Sequence, residues 1–118
     1  MSLFDEDLVA SELPVEKISN ILIDTCNEMV PNCMRHYMDS PRITQVLHSC
    51  CIENLLKCDI NFLQLYNVSV QIDHYERHIP VYKCNFSVMI DTIKIKPDCK
   101  MSVYVGIEGV KNVEYEFV

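Results

Sequence analysis

The order of hydrophobic periods along the chain constrains its fold more than any other feature. Two stretches with the 3.6-residue period of amphipathic helices fill the first half, and four stretches with strand-like alternation fill the second. Strands that follow one another without intervening helices pair as an antiparallel meander, which leaves two helices to cover one face of the sheet. The sequence therefore predicts an α+β domain with two N-terminal helices packed on one face of a four-stranded antiparallel sheet.

Composition narrows the class of protein and of partner. The 118 residues fit one domain, and 49% hydrophobic with 23% charged residues is ordinary for a folded chain. A net charge of −7 argues against nucleic acid as a partner and favours a neutral or basic peptide. No stretch approaches the ~20 consecutive apolar residues of a membrane span, so we also expect no membrane insertion.

The cysteines predict reduced thiols rather than a disulfide framework. Their number is odd, and the N-terminus lacks the basic and apolar regions of a secretory signal, which favours a cytoplasmic protein. No Cys-x-x-Cys spacing occurs, so we expect neither a structural metal nor a cofactor. The seven are Cys26, Cys33, Cys50, Cys51, Cys58, Cys84 and Cys99.

The helical half divides into three parts. Residues 1–13 are acidic without sustained periodicity, which predicts a flexible N-terminal arm. The first helix is expected to start with Pro14 in its first turn and to end at Pro31. The second is expected to have Ser40 as N-cap and Pro41 at its first position. The predicted apolar face of the first helix comprises Val15, Ile18, Leu22, Cys26 and Met29.

Strand alternation begins near Phe62. The turn at 73–77 contains no glycine, so a loop longer than a tight two-residue hairpin is expected before the second strand, at about 79–88. Pro80 confines the start of that strand to an edge, an end or a bulge. A third strand is expected around Ile93 and Ile95 and a fourth from Met101, whereas residues 111–118 remain open between a tail and a short extra strand.

The second strand has more apolar surface than one buried face requires. Tyr82, Cys84 and Phe86 alternate on one side, where membership of the core is the simpler interpretation. Ile79 and Val81 lie on the other side, where we expect them to be exposed in a monomer.

These residues carry a resemblance to a known family. The segments VEKISNILIDTCNEM at 15–29 and ITQVLHSCCIENLLKCDINFLQLYNVSVQI at 43–72 are similar to the helices and first strand of Tctex-type dynein light chains. The resemblance covers about residues 14–110. The loop at 74–77 departs from the family because it lacks the usual glycine, and the chain continues eight residues beyond Val110.

The resemblance implies a non-catalytic, dimeric adaptor of the microtubule-associated dynein complex, cytoplasmic or axonemal. In such a homodimer the second strand of each subunit crosses into its partner's sheet. A segment of dynein intermediate chain, or of a cargo protein, then adds as a β-strand at the dimer interface. The residues predicted to form this peptide-binding and dimer strand are Ile79, Val81, Tyr82, Lys83, Asn85 and Phe86.

Other classes of function stay open beside this one. One alternative is a small α+β ligand-binding protein or enzyme with an enclosed pocket. Another is a pathogen-encoded interaction module of similar layout. Catalysis has little support, because His48 and Cys51 are the nearest approach to a nucleophile pair and nothing nearby supplies an oxyanion hole. We therefore predict that the chain is not an enzyme.

Overall fold

The computed structural model describes residues 3–60, 64–89 and 99–117. Helices α1 (Leu3–Arg35) and α2 (Ser40–Lys57) precede strands β1 (Gln64–Glu76), β2 (Ile79–Met89), β3 (Cys99–Gly106) and β4 (Gly109–Phe117). The described strands form one antiparallel sheet in the order β1-β2-β3-β4. The predicted α+β class is confirmed, with two helices followed by a four-stranded antiparallel sheet.

Helix α1 starts earlier than the sequence pattern predicts. It begins at Leu3, inside the stretch for which a flexible arm was expected, and Pro14 lies within it rather than in its first turn. The residues between Leu3 and Pro14 include two Leu, two Glu and one Ala, and no glycine. These residue types have high helix propensity, which explains why regular structure extends beyond the clearly amphipathic part.

The predicted end of α1 at Pro31 is wrong, because the helix continues to Arg35. A proline inside a helix removes one hydrogen bond and costs ~3 kcal/mol. Val30 and Cys33, on either side of the proline, are both buried, and burial of such side chains offsets a cost of that size. The apolar face of α1 therefore continues past Pro31. It comprises Ile18, Leu22, Cys26, Val30 and Cys33, with Met29 only half-buried.

Helix α2 has a different N-cap from the predicted one. Asp39, not Ser40, caps it, since the Asp39 side chain accepts a hydrogen bond from the backbone N–H of Arg42 at 3.0 Å. Pro41 consequently occupies the second helical position, where its missing N–H is again harmless. The buried face of α2 consists of Ile43, Leu47, Cys51 and Leu55.

The described residues form four strands, and these do not correspond one to one with the four predicted strands. The third predicted strand, around Ile93 and Ile95, lies outside the described residues. The fourth corresponds to β3. Residues 111–117, left open between a tail and a strand, belong to β4, which pairs along β3 from Gly109 to Phe117.

Both helices pack on the same face of the sheet and enclose one core. Helix α2 contacts β1, while α1 contacts β3 and β4. From the sheet the core receives Leu65, Val70, Tyr82, Cys84, Phe86, Val88, Cys99, Met101, Val103 and Val105. Within the described ranges, neither helix is long and apolar enough to cross a lipid bilayer.

Candidate functional site

The predicted peptide-binding strand lies inside the sheet of its own chain. Strand β2 pairs with β1 on one side and with β3 on the other. Tyr82, Cys84 and Phe86 point toward the helices and are buried, which confirms their assignment to the core. Two of the six predicted site residues, Tyr82 and Phe86, thus face the interior rather than a partner.

Two further predicted residues, Lys83 and Asn85, lie on the helix-free face. Asn85 joins three strands, because its Nδ2 donates to Ser69 Oγ at 3.4 Å and its Oδ1 accepts from Ser102 Oγ at 2.8 Å. The Lys83 ammonium lies 5.6 Å from the centre of the Tyr104 ring, a cation–π contact. These contacts join the polar side chains to one another. The helix-free face of the sheet is therefore polar here and does not form an apolar groove.

Val81 is buried, with 2% of its surface exposed, so the expectation that it would be exposed in a monomer is wrong. Lys111, from β4, reaches across the end of the sheet and forms an ion pair with Glu76 at 2.9 Å. Gly106 provides the path, since a Cβ there would lie 2.8 Å from Lys111 Cε. A Cβ on Gly106 would also lie 3.9 Å from Val81, which places Val81 beside this path.

The end of the β1–β2 hairpin projects beyond the rest of the sheet. Pairing of β2 with β3 starts at Tyr82, so residues 79–81 pair only with β1. Pro80 lies at the start of β2, which is one of the three places predicted for it: an edge, an end or a bulge. Ile72, Tyr75 and Ile79 are 42%, 62% and 42% exposed on this projecting ribbon, and Ile79 is the predicted site residue most accessible to a partner.

A tight two-residue turn joins β1 to β2, contrary to the longer loop that was expected. Glu76 pairs with Ile79, leaving only Arg77 and His78 in the turn. Their φ angles are +52° and +69°, the signature of a type I′ turn. Such turns strongly prefer Asn-Gly, so a turn of this type that lacks glycine is difficult to predict from the sequence. Two polar residues between alternating stretches were the only available signal.

His74 lies between two carboxylates near this turn. Its Nε2 is 2.9 Å from Glu76 Oε2 and its Nδ1 is 2.7 Å from Asp73 Oδ2. The hydrogen bonds to Glu76 and then to Asp73 raise the pKa of His74 above its usual value. The pKa of Glu76 is lowered, first by His74 and then by Lys111. The base of the turn is therefore held by an exposed charge network.

Both edges of the sheet are closed at one point by a helix side chain. On β1, the backbone N–H of Val70 donates to Thr44 Oγ1 of α2 at 3.1 Å. On β4, the backbone N–H of Val110 donates to Asn27 Oδ1 of α1 at 2.9 Å. Strand β1 also carries two register irregularities, at 66–69 and 72–74. Bulges and covered donors are common protection against uncontrolled strand addition.

A cleft of about 550 Å³ opens where three connections meet. The end of α1, the α1–α2 turn, the β1–β2 turn and the β3–β4 turn all contribute to its wall. Apolar residues dominate the lining: Met34, Met38, Ile79, Pro80, Tyr82 and Ile107. The charged or ionisable groups at its rim include Arg35 and His78. The sequence pattern gives no sign of this cleft, because its residues come from three separate segments.

Most of the cysteine side chains are buried in the described structure. Burial raises the pKa of Cys51 to about 12, which favours its protonated thiol, and His48, three positions earlier, is exposed. A hydrogen bond to Cys84, together with burial, raises the pKa of Cys26. Among the described residues, no group of three or more His, Cys, Asp or Glu side chains is arranged to hold a metal ion.

Comparisons with family models, with curated proteins and with solved structures found no match to this chain. The resemblance to Tctex-type dynein light chains therefore stays a prediction. The function has to be argued from the geometry of the chain itself.

Proposed function

We propose that this chain is a non-catalytic adaptor of the dynein light chain type. In this proposal it forms a homodimer by exchange of β2. An extended segment of dynein intermediate chain, or of a cargo protein, adds to the sheet at the dimer interface. The observation that carries the proposal is the turn at Arg77 and His78, where two residues with side chains adopt positive φ angles next to exposed apolar residues.

The turn favours exchange because the closed hairpin stores strain there. A non-glycine residue in the left-handed region costs about 1 kcal/mol or more. Arg77 and His78 both have this cost while β2 folds back on its own β1. Opening of the hairpin converts the turn into extended chain, and β2 then finds the same neighbours in a second subunit. Short, strained hinge loops promote exchange of this kind.

The projecting ribbon supplies a second argument. Ile72, Tyr75 and Ile79 leave apolar surface in water at the very end of the hairpin that would exchange. Burial of apolar surface stabilises an interface by roughly 25 cal/mol per Å² before the costs of association are counted. A dimer formed around the hinge would cover these side chains, whereas the isolated chain leaves them exposed.

Light scattering on the purified chain, with and without reductant, tests the proposal first. Exchange predicts twice the subunit mass of 13.7 kDa under both conditions. The variant with both Arg77→Asn and His78→Gly relieves the strain of the closed turn, so it is expected to shift the population toward monomer. Glu108→Gly is the matched control, since Ile107 and Glu108 form the other two-residue turn without positive φ angles.

Titration with a dynein intermediate-chain segment completes the test. Binding by the dimeric wild type and its loss in the monomeric turn variant would support the adaptor. A wild-type chain that stays monomeric at all concentrations would remove the exchange mechanism, and with it the interface to which a segment could add.

A further inference from the structure

The cleft at the converging connections has the chemistry of a small-molecule site. We propose that it binds an organic anion with an apolar or aromatic body, such as a hydrophobic carboxylate or sulfonate. The inference concerns the chain with its closed hairpin, in which every wall of the cleft comes from a single chain, and it does not use the adaptor function as a premise.

The volume and the lining of the cleft fit a ligand with an apolar or aromatic body. The volume of about 550 Å³ lies within the range of sites for small organic molecules. Met34 and Met38 contribute flexible, polarizable side chains that adapt to irregular shapes. Tyr82 and Pro80 add flat, rigid surface opposite them, which suits an aromatic ring or a short acyl chain.

The charge of Arg35 at the rim selects the sign of the ligand. Arg35 and His78 line the cleft, and no carboxylate does so among the described residues. This is a local exception on a chain with a net charge of −7. Asp39 lies near the Tyr82 hydroxyl, but its carboxylate already accepts the capping hydrogen bond from the Arg42 N–H. A basic partner, which the net charge of the chain favours, is therefore not the ligand that we expect in the cleft.

Arg35 is available to receive an anionic group. It ends α1, is exposed, and makes no ion pair or side-chain hydrogen bond with a described residue. A guanidinium presents two parallel N–H groups that match the oxygens of a carboxylate or sulfonate. A ligand with its apolar body against the methionines and its anionic group at the rim would satisfy both parts of the cleft.

Two fluorescent probes test the inference because they differ only in charge. 1-Anilinonaphthalene-8-sulfonate has an aromatic body with a sulfonate, and N-phenyl-1-naphthylamine has the same body without it. We expect saturable binding of one sulfonate probe per chain, with about ten-fold weaker binding of the neutral probe. Dodecanoate is expected to displace the sulfonate probe at lower concentration than 1-dodecanol does.

Variants locate the binding. Arg35→Gln is expected to weaken the sulfonate probe about ten-fold and to leave the neutral probe unchanged. Met38→Glu, which places a negative charge in the wall, should weaken the sulfonate probe further. Lys100→Gln is the matched control, because Lys100 is an exposed cation on β3 that does not line the cleft. Each variant is first shown by circular dichroism to unfold cooperatively at a temperature close to wild type.

Three results would overturn the inference. The first is equal affinity for the two probes, and the second is an unchanged affinity for the sulfonate probe in Arg35→Gln. The third is probe release as the protein concentration rises and the mass doubles, which would assign the cleft to a second copy of the chain. None of these outcomes depends on whether a dynein segment binds, so the cleft and the adaptor can fail separately.

Discussion

Asn27 in α1 accepts, through its side-chain oxygen, a hydrogen bond from the backbone N–H of Val110 in β4, at a distance of 2.9 Å. The two residues are 83 positions apart, so the contact ties the first helix to the last strand. Gly109 lies directly beneath it with φ +125°, and a Cβ at Gly109 would be 2.5 Å from Asn27 Oδ1. This corner therefore needs both the amide side chain and the glycine.

Substitution at this corner should show strong coupling. Asn27→Ala is expected to lower the free energy of unfolding by about 1 kcal/mol, through loss of the hydrogen bond. Gly109→Ala should cost about 2 kcal/mol or more, because it combines a steric overlap with a φ angle that alanine rarely adopts. The double variant is expected to cost less than the sum, since removal of the amide relieves the overlap. Urea denaturation of all four proteins measures this, and strict additivity would contradict the geometry.

Gly106→Ala provides a contrast at the other end of the same turn. Its Cβ would meet only the flexible end of Lys111, at 2.8 Å, and Gly106 has no positive φ angle. Lys111 can move aside at the expense of its ion pair with Glu76, and exposed ion pairs contribute little to stability. We therefore expect a loss of stability below about 1 kcal/mol for Gly106→Ala. A loss as large as that of Gly109→Ala would show that Lys111 is less free to move than this.

The charge network at His74 predicts a pH dependence of stability. The pKa of His74 is raised in the folded chain, so its contribution is complete below the unfolded value of about 6.5 and is lost as the pH rises through the folded pKa. The pKa of Glu76 is lowered, so its contribution is present above about 4.5 and is lost as the pH falls through its folded pKa. Together they are most stabilising in mildly acidic solution, between about pH 4.5 and 6.5.

His74→Gln isolates this effect. The difference in urea midpoint between wild type and variant should be largest near pH 5.5 and should shrink toward pH 8. Because both partners are exposed, added salt should reduce the difference at every pH. A constant difference across this range would mean that His74 contributes through packing rather than through charge. The imidazole proton resonances of His74 give its pKa directly.

The cysteines should differ in reactivity according to burial. Five cysteines are buried: Cys26, Cys33, Cys51, Cys84 and Cys99. Burial raises the pKa of Cys51 to about 12. Cys50 and Cys58 are only half-buried. A thiol reagent such as 5,5′-dithiobis(2-nitrobenzoate) should therefore modify Cys50 and Cys58 first, and the five buried thiols only after denaturant is added. Mass spectrometry of labelled peptides identifies the sites, and early labelling of Cys51 would contradict the packing of α2.

Hydrophobic periodicity predicted those parts of the fold that depend on the local sequence pattern. The burial of Ile18, Leu22 and Cys26 in α1 follows from spacing alone. So does the inward alternation of Tyr82, Cys84 and Phe86. Pro31 was mistaken for a helix end because the compensating burial of Val30 and Cys33 is a tertiary effect. Tertiary packing overrides helix propensity and helix-breaking residues wherever it contributes more to stability.

The candidate site was less predictable because it is assembled from distant parts. Val81 lies beside Gly106, over which Lys111 passes to Glu76, and Lys111 belongs to a segment that the pattern left between tail and strand. The turn at Arg77 and His78 lacks the glycine by which such turns are recognised. Even the sign of charge at the cleft runs against the net charge of the chain, since Arg35 comes to its rim only through folding.

The pairing of α1 with β3 and β4 also sets an order of events during synthesis. On the ribosome α1 is made just before α2 and can pack against it early, whereas β3 and β4, which α1 also covers, are made only after β1 and β2. The part of its apolar face that packs on these two strands therefore stays uncovered while the sheet is being made. Helix α2 and β1 can meet sooner, because they are neighbours in sequence. Docking of β3 and β4 against α1 is the late step in this order.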